Sequence, residues 1–426
     1  MKTSKHTSTT VNTGTGIPAE DLNILNHALD ELLDAVSRNH LPFLGTEGQR
    51  KGLLHTALHD LHKAMSRPRT CIYPGCAARS VRRSHTIQKG GPLTFIAEDS
   101  HVVAPGFASN GKGYSVIPVG VNEASTFPGF CQTHEALFHA FERVREIRTD
   151  RDIALQVFRT ICREIAVKRI QIAHIRKMRD THDRLVAKKS MEMLKRRLGD
   201  AFVRRHGLRS VTLEEVSKAQ VVMVECEKEV GAAMKGLEND FLPASAMDVA
   251  GRGGSLYHVS VTVHQPLPVC LAGVANFWID DHGKRHSVRT ILNVLPSPKQ
   301  TVIVATTLAI HQEYLNAYMT HMLDRMNGPL VMVETWMVRG TDHWFMTPSE
   351  WENVPQSRRA RILADMLDES VAVGEAYPVS VLDSVREQAL KLPEAKAEPR
   401  RVYEAEASKL ADRISTSVRG NTKTRR

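Results

Sequence analysis

Apolar residues recur at three- and four-residue steps near the start of the chain. Leu22, Leu25, Leu29, Leu32, Leu33 and Val36 form one stripe, the mark of an amphipathic helix. Ile17-Pro18-Ala19-Glu20-Asp21 opens it, with proline near the first turn and acids at the positive end of the helix dipole. After a break at Leu41-Pro42, a second helix carries Leu54, Leu58, Leu61 and Met65 on one side, so residues 19–67 read as an antiparallel helical pair. His55, His59 and His62 sit on that helix at helical spacing and read as a solvated polar face rather than a metal cluster. The period then shortens. Ser84 to Gln88, Leu93 to Ile96, Val102 to Ala104 and Tyr114 to Val121 read as strands around a Gly/Asn/Ser-rich stretch from Gly106 to Gly113.

From His134 the pattern is helical again, with Leu137, Phe138, Phe141 and Val144 facing inward. Ile153 to Arg209 reads as one long helix whose Phe158, Ile161, Ile165, Ile172 and Ile175 make a heptad-like seam. Val211 to Asp240 is expected to continue as helix from a capping box, Thr212 and Glu215. Such a pair makes a helical hairpin or coiled-coil arm, and its seam suits core packing or a homodimer contact. Gly251-Arg252-Gly253-Gly254 reads as a linker. Beyond it Tyr257, Val259, Val261 and Val263 alternate with polar residues as a half-buried strand. Cys270 to Ile279, Ser287 to Leu295 and Thr301 to Thr307 follow as strands, with Asp281-His282-Gly283 as a turn. A helix from Ile310 to Met326, a strand near Val331 to Met337 and a helix from Pro348 to Met366 complete the reading.

The fold expected is α+β and multidomain: a polar, disordered tail at 1–18, the helical pair at 19–67, a zinc module at 68–141, a basic helical arm at 142–248, an α+β sheet domain at 255–376 and a mobile tail at 391–426. No run of about eighteen apolar residues occurs and no leader pattern opens the chain, which points to the cytoplasm. Six cysteines in 426 residues are too few for a disulfide scaffold, and Cys162, Cys226 and Cys270 sit in apolar surroundings. Net charge is +10, and Glu142 to Ser210 alone holds 20 Lys and Arg against 9 Asp and Glu. Basic charge concentrated on one element suits a polyanion partner, DNA or RNA, as well as a merely solvated helix. Arg82, Arg83, Arg169, Arg176, Lys177, Lys188, Lys189, Arg196 and Arg197 are the candidate contacts.

The most informative chemistry is a C-x4-C pair, Cys71 and Cys76, followed by a C-x2-H pair, Cys131 and His134. Two close pairs of thiol and imidazole are what a structural, tetrahedral Zn2+ site requires. Tyr73-Pro74-Gly75 and Phe127-Pro128-Gly129 supply the turns of two knuckles. Knuckle, hairpin and then a helix carrying the last ligand follow treble-clef or ββα-metal logic. The bland alternative is four unrelated residues.

Over Cys71 to Phe141 the order of cysteine pair, strand histidine in Ser84-His85-Thr86-Ile87, and Cys-x2-ligand pair opening a helix resembles HNH nuclease domains. That resemblance implies His85 as the general base that deprotonates water, with Mg2+ or Mn2+ stabilising charge on phosphate. Glu135 follows the last ligand where HNH domains carry histidine, and its carboxylate suits such a cation. The middle asparagine would be Asn110 or Asn122. A structural role for His85 is the competing reading. The whole pattern also looks like a recurrent bacterial hypothetical-protein family, a resemblance that implies a mobile-element or antiviral-defence setting.

No G-x-x-x-x-G-K-[ST], G-x-G-x-x-G after a strand, or G-x-S-x-G occurs, so P-loop and serine-hydrolase chemistry lack support. Asp280, Asp281 and His282 read as a hairpin turn rather than ligands. Asp342-His343-Trp344 and Trp351 read as anchors of the last helix against the sheet. The leading expectation is a zinc-module protein whose basic arm holds nucleic acid; the alternatives are an HNH-like nuclease and a non-enzymatic interaction scaffold.

Overall fold

The computed structural model describes residues 9–12, 17–43, 56, 60–61, 63–108, 113–213, 218–281, 283–368 and 372–391. His55, His59, His62, Asn110, Glu215, His282 and most of both expected tails lie outside the described residues. The chain divides into two units, one built from 1–64 with 168–233, the other from 65–167 with 234–426. The boundaries drawn along the sequence do not reappear as such units.

In the first unit, α1 (Ala19–Phe43) runs on past Pro42. Its Leu25, Ala28, Leu29 and Leu32 bury against Leu194, Val203 and Leu208. Strand β1 (Thr9–Asn12) pairs antiparallel with a later strand, Ser210–Leu213. The expected capping box at Thr212 is therefore overturned, because Thr212 is opposite Thr10 in a ladder. Local cap chemistry lost to a partner strand about two hundred residues away.

The second unit contains β2 (Ser84–His85), β3 (His101–Phe107), β4 (Tyr114–Gly120), β5 (Thr126–Phe127), α2 (Gln132–Glu135), α3 (His139–Val144) and most of the first turns of α4 (Asp150–Leu198). The long helix ends at Gly199, whose φ of +82° breaks it, and α5 (Asp200–Arg205) precedes the 210–213 strand, β6. Helix α6 (Lys218–Gly236) leads through a wide turn, Leu237–Phe241, into α7 (Leu242–Val249). Strands β7 (Leu256–Val263), β8 (Val269–Asp281), β9 (Lys284–Pro296) and β10 (Thr301–Leu308) follow, then α8 (Gln312–Leu323), α9 (Gly328–Arg339), β11 (Trp344–Met346), α10 (Pro348–Asn353), α11 (Gln356–Met366) and α12 (Asp383–Lys391).

Seven strands form one antiparallel sheet in the order β4-β3-β11-β8-β9-β10-β7. Thus the interior of the expected metal module and the expected C-terminal domain are one sheet, stitched by Met346 opposite Val103. Alternation sets its two faces. Val288, Leu292 and Val294 join Phe277, Tyr318, Trp336 and Trp344 on one side. Ile291 and Val304 meet Phe158, Ile161 and Ile165 of α4 on the other. The first half of the heptad-like seam is therefore core of this chain.

Three local readings are corrected. Val331 to Met337 is helix, not strand, because Leu330, Met332, Val333, Trp336, Met337 and Val338 are buried nearly all round, and periodicity alone does not separate such a helix from a buried strand. Leu93 to Ile96 is helical, following the turn at Lys89–Leu93. Pro348 to Met366 is two helices, parted at Val354-Pro355. The strands at 257–263, 270–279, 287–295 and 301–307 lie within β7 to β10. Among the described residues no helix is long and apolar enough to cross a membrane.

Candidate metal knuckle and adjoining cleft

The first knuckle turns at Tyr73-Pro74-Gly75, where Gly75 takes φ +77° and the Cys76 amide donates to the Tyr73 carbonyl at 3.0 Å. A side chain at that φ is strained, so glycine belongs there. The second knuckle ends on Cys131, which caps α2 and places His134 three residues on, within one turn. Backbone bonds fasten the two segments together: Ile72 N–H to the Gly129 carbonyl at 2.9 Å and Val81 N–H to the Phe130 carbonyl at 2.7 Å. Below them Phe127, Phe130, Phe138 and Phe141 pack on Phe158 and Ile161.

Cys71, Cys76, Cys131 and His134 converge, with all four ligand atoms within 4.8 Å of one another. Cys76 Sγ lies 3.9 Å from Cys131 Sγ, and His134 Nδ1 lies 3.5 Å from Cys71 Sγ and 3.3 Å from Cys131 Sγ. A tetrahedral zinc with its ordinary bond lengths spaces S···S by about 3.8 Å and S···N by about 3.5 Å. The donor set and its spacing fit that ion. Tyr73 stacks on the His134 ring, 3.9 Å between centroids, and fixes its plane. Burial pushes the Cys71 thiol up to about 11, whereas the His134 backbone amide, foremost, draws Cys131 down. Metal capture must therefore displace a reluctant proton.

One residue beyond His134, the same short helix turns toward a second feature. His85 on β2 and Glu135 on α2 line a cleft of about 500 Å³, with Glu142 beside them and Gln88, Lys89, Gly90, Arg143 and Arg145 completing it. Strand β2 is held by β5, with His85 opposite Thr126. The Ser84 hydroxyl accepts the Phe130 amide at 3.1 Å, and Ser125 Oγ accepts the Ile87 amide at 2.9 Å. His343 Nε2, 3.2 Å from Ser125 Oγ, ties this turn to the residue before β11.

Burial, and then the positive charges of Arg159 and Lys89, push His85 down to about 4, while hydrogen bonding to the Val121 carbonyl opposes the fall. His85 is thus a neutral imidazole at physiological pH. Its Nε2 is buried and has no hydrogen-bond partner. Glu135 accepts from Arg159 Nη2 at 3.0 Å through one oxygen, and its Oε2 is buried without a partner. Burial pushes Glu135 up, opposed by Arg159. The same Arg159 nitrogen reaches Glu142 at 2.7 Å. Arg159 is fully buried, over the Phe138 ring at 4.2 Å.

Sequence reasoning missed Arg159, Glu142 and the cleft cations. Glu135 and Glu142, seven residues apart, carried a two-turn helical signal. The expected nucleic-acid residues scatter: Arg83 pairs with Glu123, Arg176 with Glu227 at 2.6 Å, Lys177 with Asp60 at 2.5 Å, Lys189 with Glu192 at 2.8 Å and Arg197 with Glu31 at 2.9 Å. Arg82, Lys188 and Arg196 are not among these pairs, and Arg169 lies on α4, as do Lys188 and Arg196. Asn122 sits in the turn before β5, outside the residues that line the cleft. Asp281 faces Lys284 across the β8–β9 hairpin, as a turn requires. No family model, curated protein or solved structure matches this chain.

Proposed function

We propose that the protein is a metal-dependent phosphodiesterase acting on nucleic acid, an HNH-like nuclease whose Cys71, Cys76, Cys131 and His134 hold a structural zinc. One observation carries the reading: an unpartnered buried histidine nitrogen, His85 Nε2, shares a cleft with an unpartnered carboxylate oxygen, Glu135 Oε2. Buried polar atoms normally have partners. Both side chains line one cleft, which sets a base and a carboxylate around the same space.

In this reading His85 Nε2 accepts the proton of the attacking water, and its lowered basicity keeps it unprotonated at neutral pH. Glu135 Oε2 is the chain's ligand for Mg2+ or Mn2+, whose Lewis acidity stabilises charge on phosphate and on the departing oxygen. Arg159 holds Glu135 and Glu142 in place from behind. An ion held by Cys71, Cys76, Cys131 and His134 would fasten the start of α2 to the first knuckle. Purified protein should nick supercoiled plasmid in Mg2+ or Mn2+, and His85→Ala should abolish nicking without changing the circular dichroism spectrum. Intact plasmid with every divalent metal sinks the reading and favours a scaffold.

A further inference from the structure

The cations that line the cleft are not those of the basic arm. We propose that Lys89, Arg143 and Arg145, at the mouth of the His85–Glu135 cleft, are the seat of the nucleic-acid backbone, in place of the arm. This rests on the proposed reading in taking nucleic acid as the cleft's occupant and Glu135 as the seat of a cation.

Lys89, Arg143 and Arg145 are all exposed and all line the cleft. None forms an ion pair among the described residues. In the arm, Arg176, Lys177, Lys189 and Arg197 each already have a carboxylate within 3 Å. A cation with an acid at its head gains less from a phosphate, since one contact replaces another. The free three offer their whole charge.

The mouth is also built to stay in place. A Cβ on Gly91 would stand 2.7 Å from Gln88 Oε1 and 3.1 Å from the Arg145 carbonyl, so glycine lets the Lys89 segment lie against Arg145. Gln88 Nε2 donates to the Glu142 carbonyl and binds that segment to α3. Arg145 itself caps α3 in the left-handed region at φ 63°. Beside Lys89, nothing lies within 4 Å of the place a Gly90 Cβ would take, which leaves the backbone open to close approach. Charge order selects the occupant. The carboxylates of Glu135 and Glu142 repel a lone anion, whereas a polyanion can set one phosphate over a cation held at Glu135 and its neighbours on Lys89, Arg143 and Arg145.

The test measures affinity of full-length His85→Ala protein for a labelled 20-bp DNA duplex, with Ca2+ present, over a salt series. Three phosphate contacts give a log–log slope of about −2.7, or an affinity loss of about 40-fold between 50 and 200 mM salt. Substituting Lys89→Gln, Arg143→Gln and Arg145→Gln together should flatten the slope and weaken low-salt binding by tens of fold. Arg176→Gln, Lys177→Gln, Lys189→Gln and Arg197→Gln together should change affinity less than about twofold. Should the triple variant misfold, Lys89→Gln alone is expected to reduce the slope by about one. A slope that follows the arm variant and ignores the cleft variants overturns the seat, and wild-type nicking would then still stand. A slope carried by the cleft without any nicking would keep the seat and remove the enzyme.

Discussion

Two sites meet on one short helix and are opposite in kind. The knuckle side of α2 is closed: four soft ligand atoms face one another, the ring of His134 is clamped by Tyr73, and aromatic core lies beneath. One residue on, Glu135 faces a cleft in which His85 and Glu135 keep polar atoms without partners and the lining cations are exposed. A structural site saturates its groups, whereas a working site keeps some unsatisfied and relies on rigid neighbours to bear the cost. The two environments lie within five residues of sequence, Cys131 to Glu135.

The strongest way to break that contrast is to empty the knuckle. Chelation, or Cys71→Ser, should release one zinc per chain by elemental analysis and remove stabilisation on the order of 10 kcal/mol, seen as loss of the cooperative melt. Acid should act in the same direction, because Cys71 must give up a proton held up to about 11. Retained melting without metal would show that the aromatic cluster alone suffices.

On the cleft side the largest effect belongs to His85. His85→Ala should lower the nicking rate by about 10²- to 10⁴-fold while the melt stays intact. Arg159 sits between the two sides and should move both readouts. Arg159→Met leaves Glu135 and Glu142 facing each other, and should cost about 3 kcal/mol in urea denaturation together with most of the nicking. A variant that nicks normally would refute the positioning of Glu135 by Arg159.

Titration sharpens the comparison further. Folded His85 is neutral down to about 4, while the unfolded imidazole titrates near 6.5. Stability is therefore fully present above pH 6.5 and falls as pH drops toward 4, because only the unfolded chain takes up the proton. The loss approaches about 3 kcal/mol. Urea melts of wild type and His85→Gln across that window should diverge by this amount, with His343, held down in the same sense by burial, contributing equally to both. The smallest effect belongs to the arm. Arg197→Ala breaks an exposed pair with Glu31 and should cost less than about 1 kcal/mol.

The ligands of the knuckle were legible because spacing within each pair is set by a single turn, and turn residues announce themselves in Tyr73-Pro74-Gly75. His85 and Glu135 were legible from their order around those pairs. That Lys89, Arg143 and Arg145 line the same cleft was not, since sequence displays charge but not which charges gather in one place. The arm's excess of lysine and arginine was legible, but not its pairing: Asp60 and Glu31 come from outside the arm, and Glu227 from its second helix, to meet Lys177, Arg197 and Arg176. The sheet strands from 257 to 307 showed through alternation. Strand β6 and helix α9 did not, as a partner strand in one case and burial on all sides in the other overrode the local pattern.

Strand β11 spans only Trp344 to Met346, yet β3 and β8 are its two neighbours in the sheet. During synthesis, then, the β3–β4 hairpin emerges some two hundred residues before the strip of backbone that joins it to β8. A chain stopped short of residue 344 has the cysteines, the histidines and the long helix, but its hairpin ends in an open edge. Excising residues 68–141 as a minimal module should therefore yield an aggregating fragment rather than a working domain.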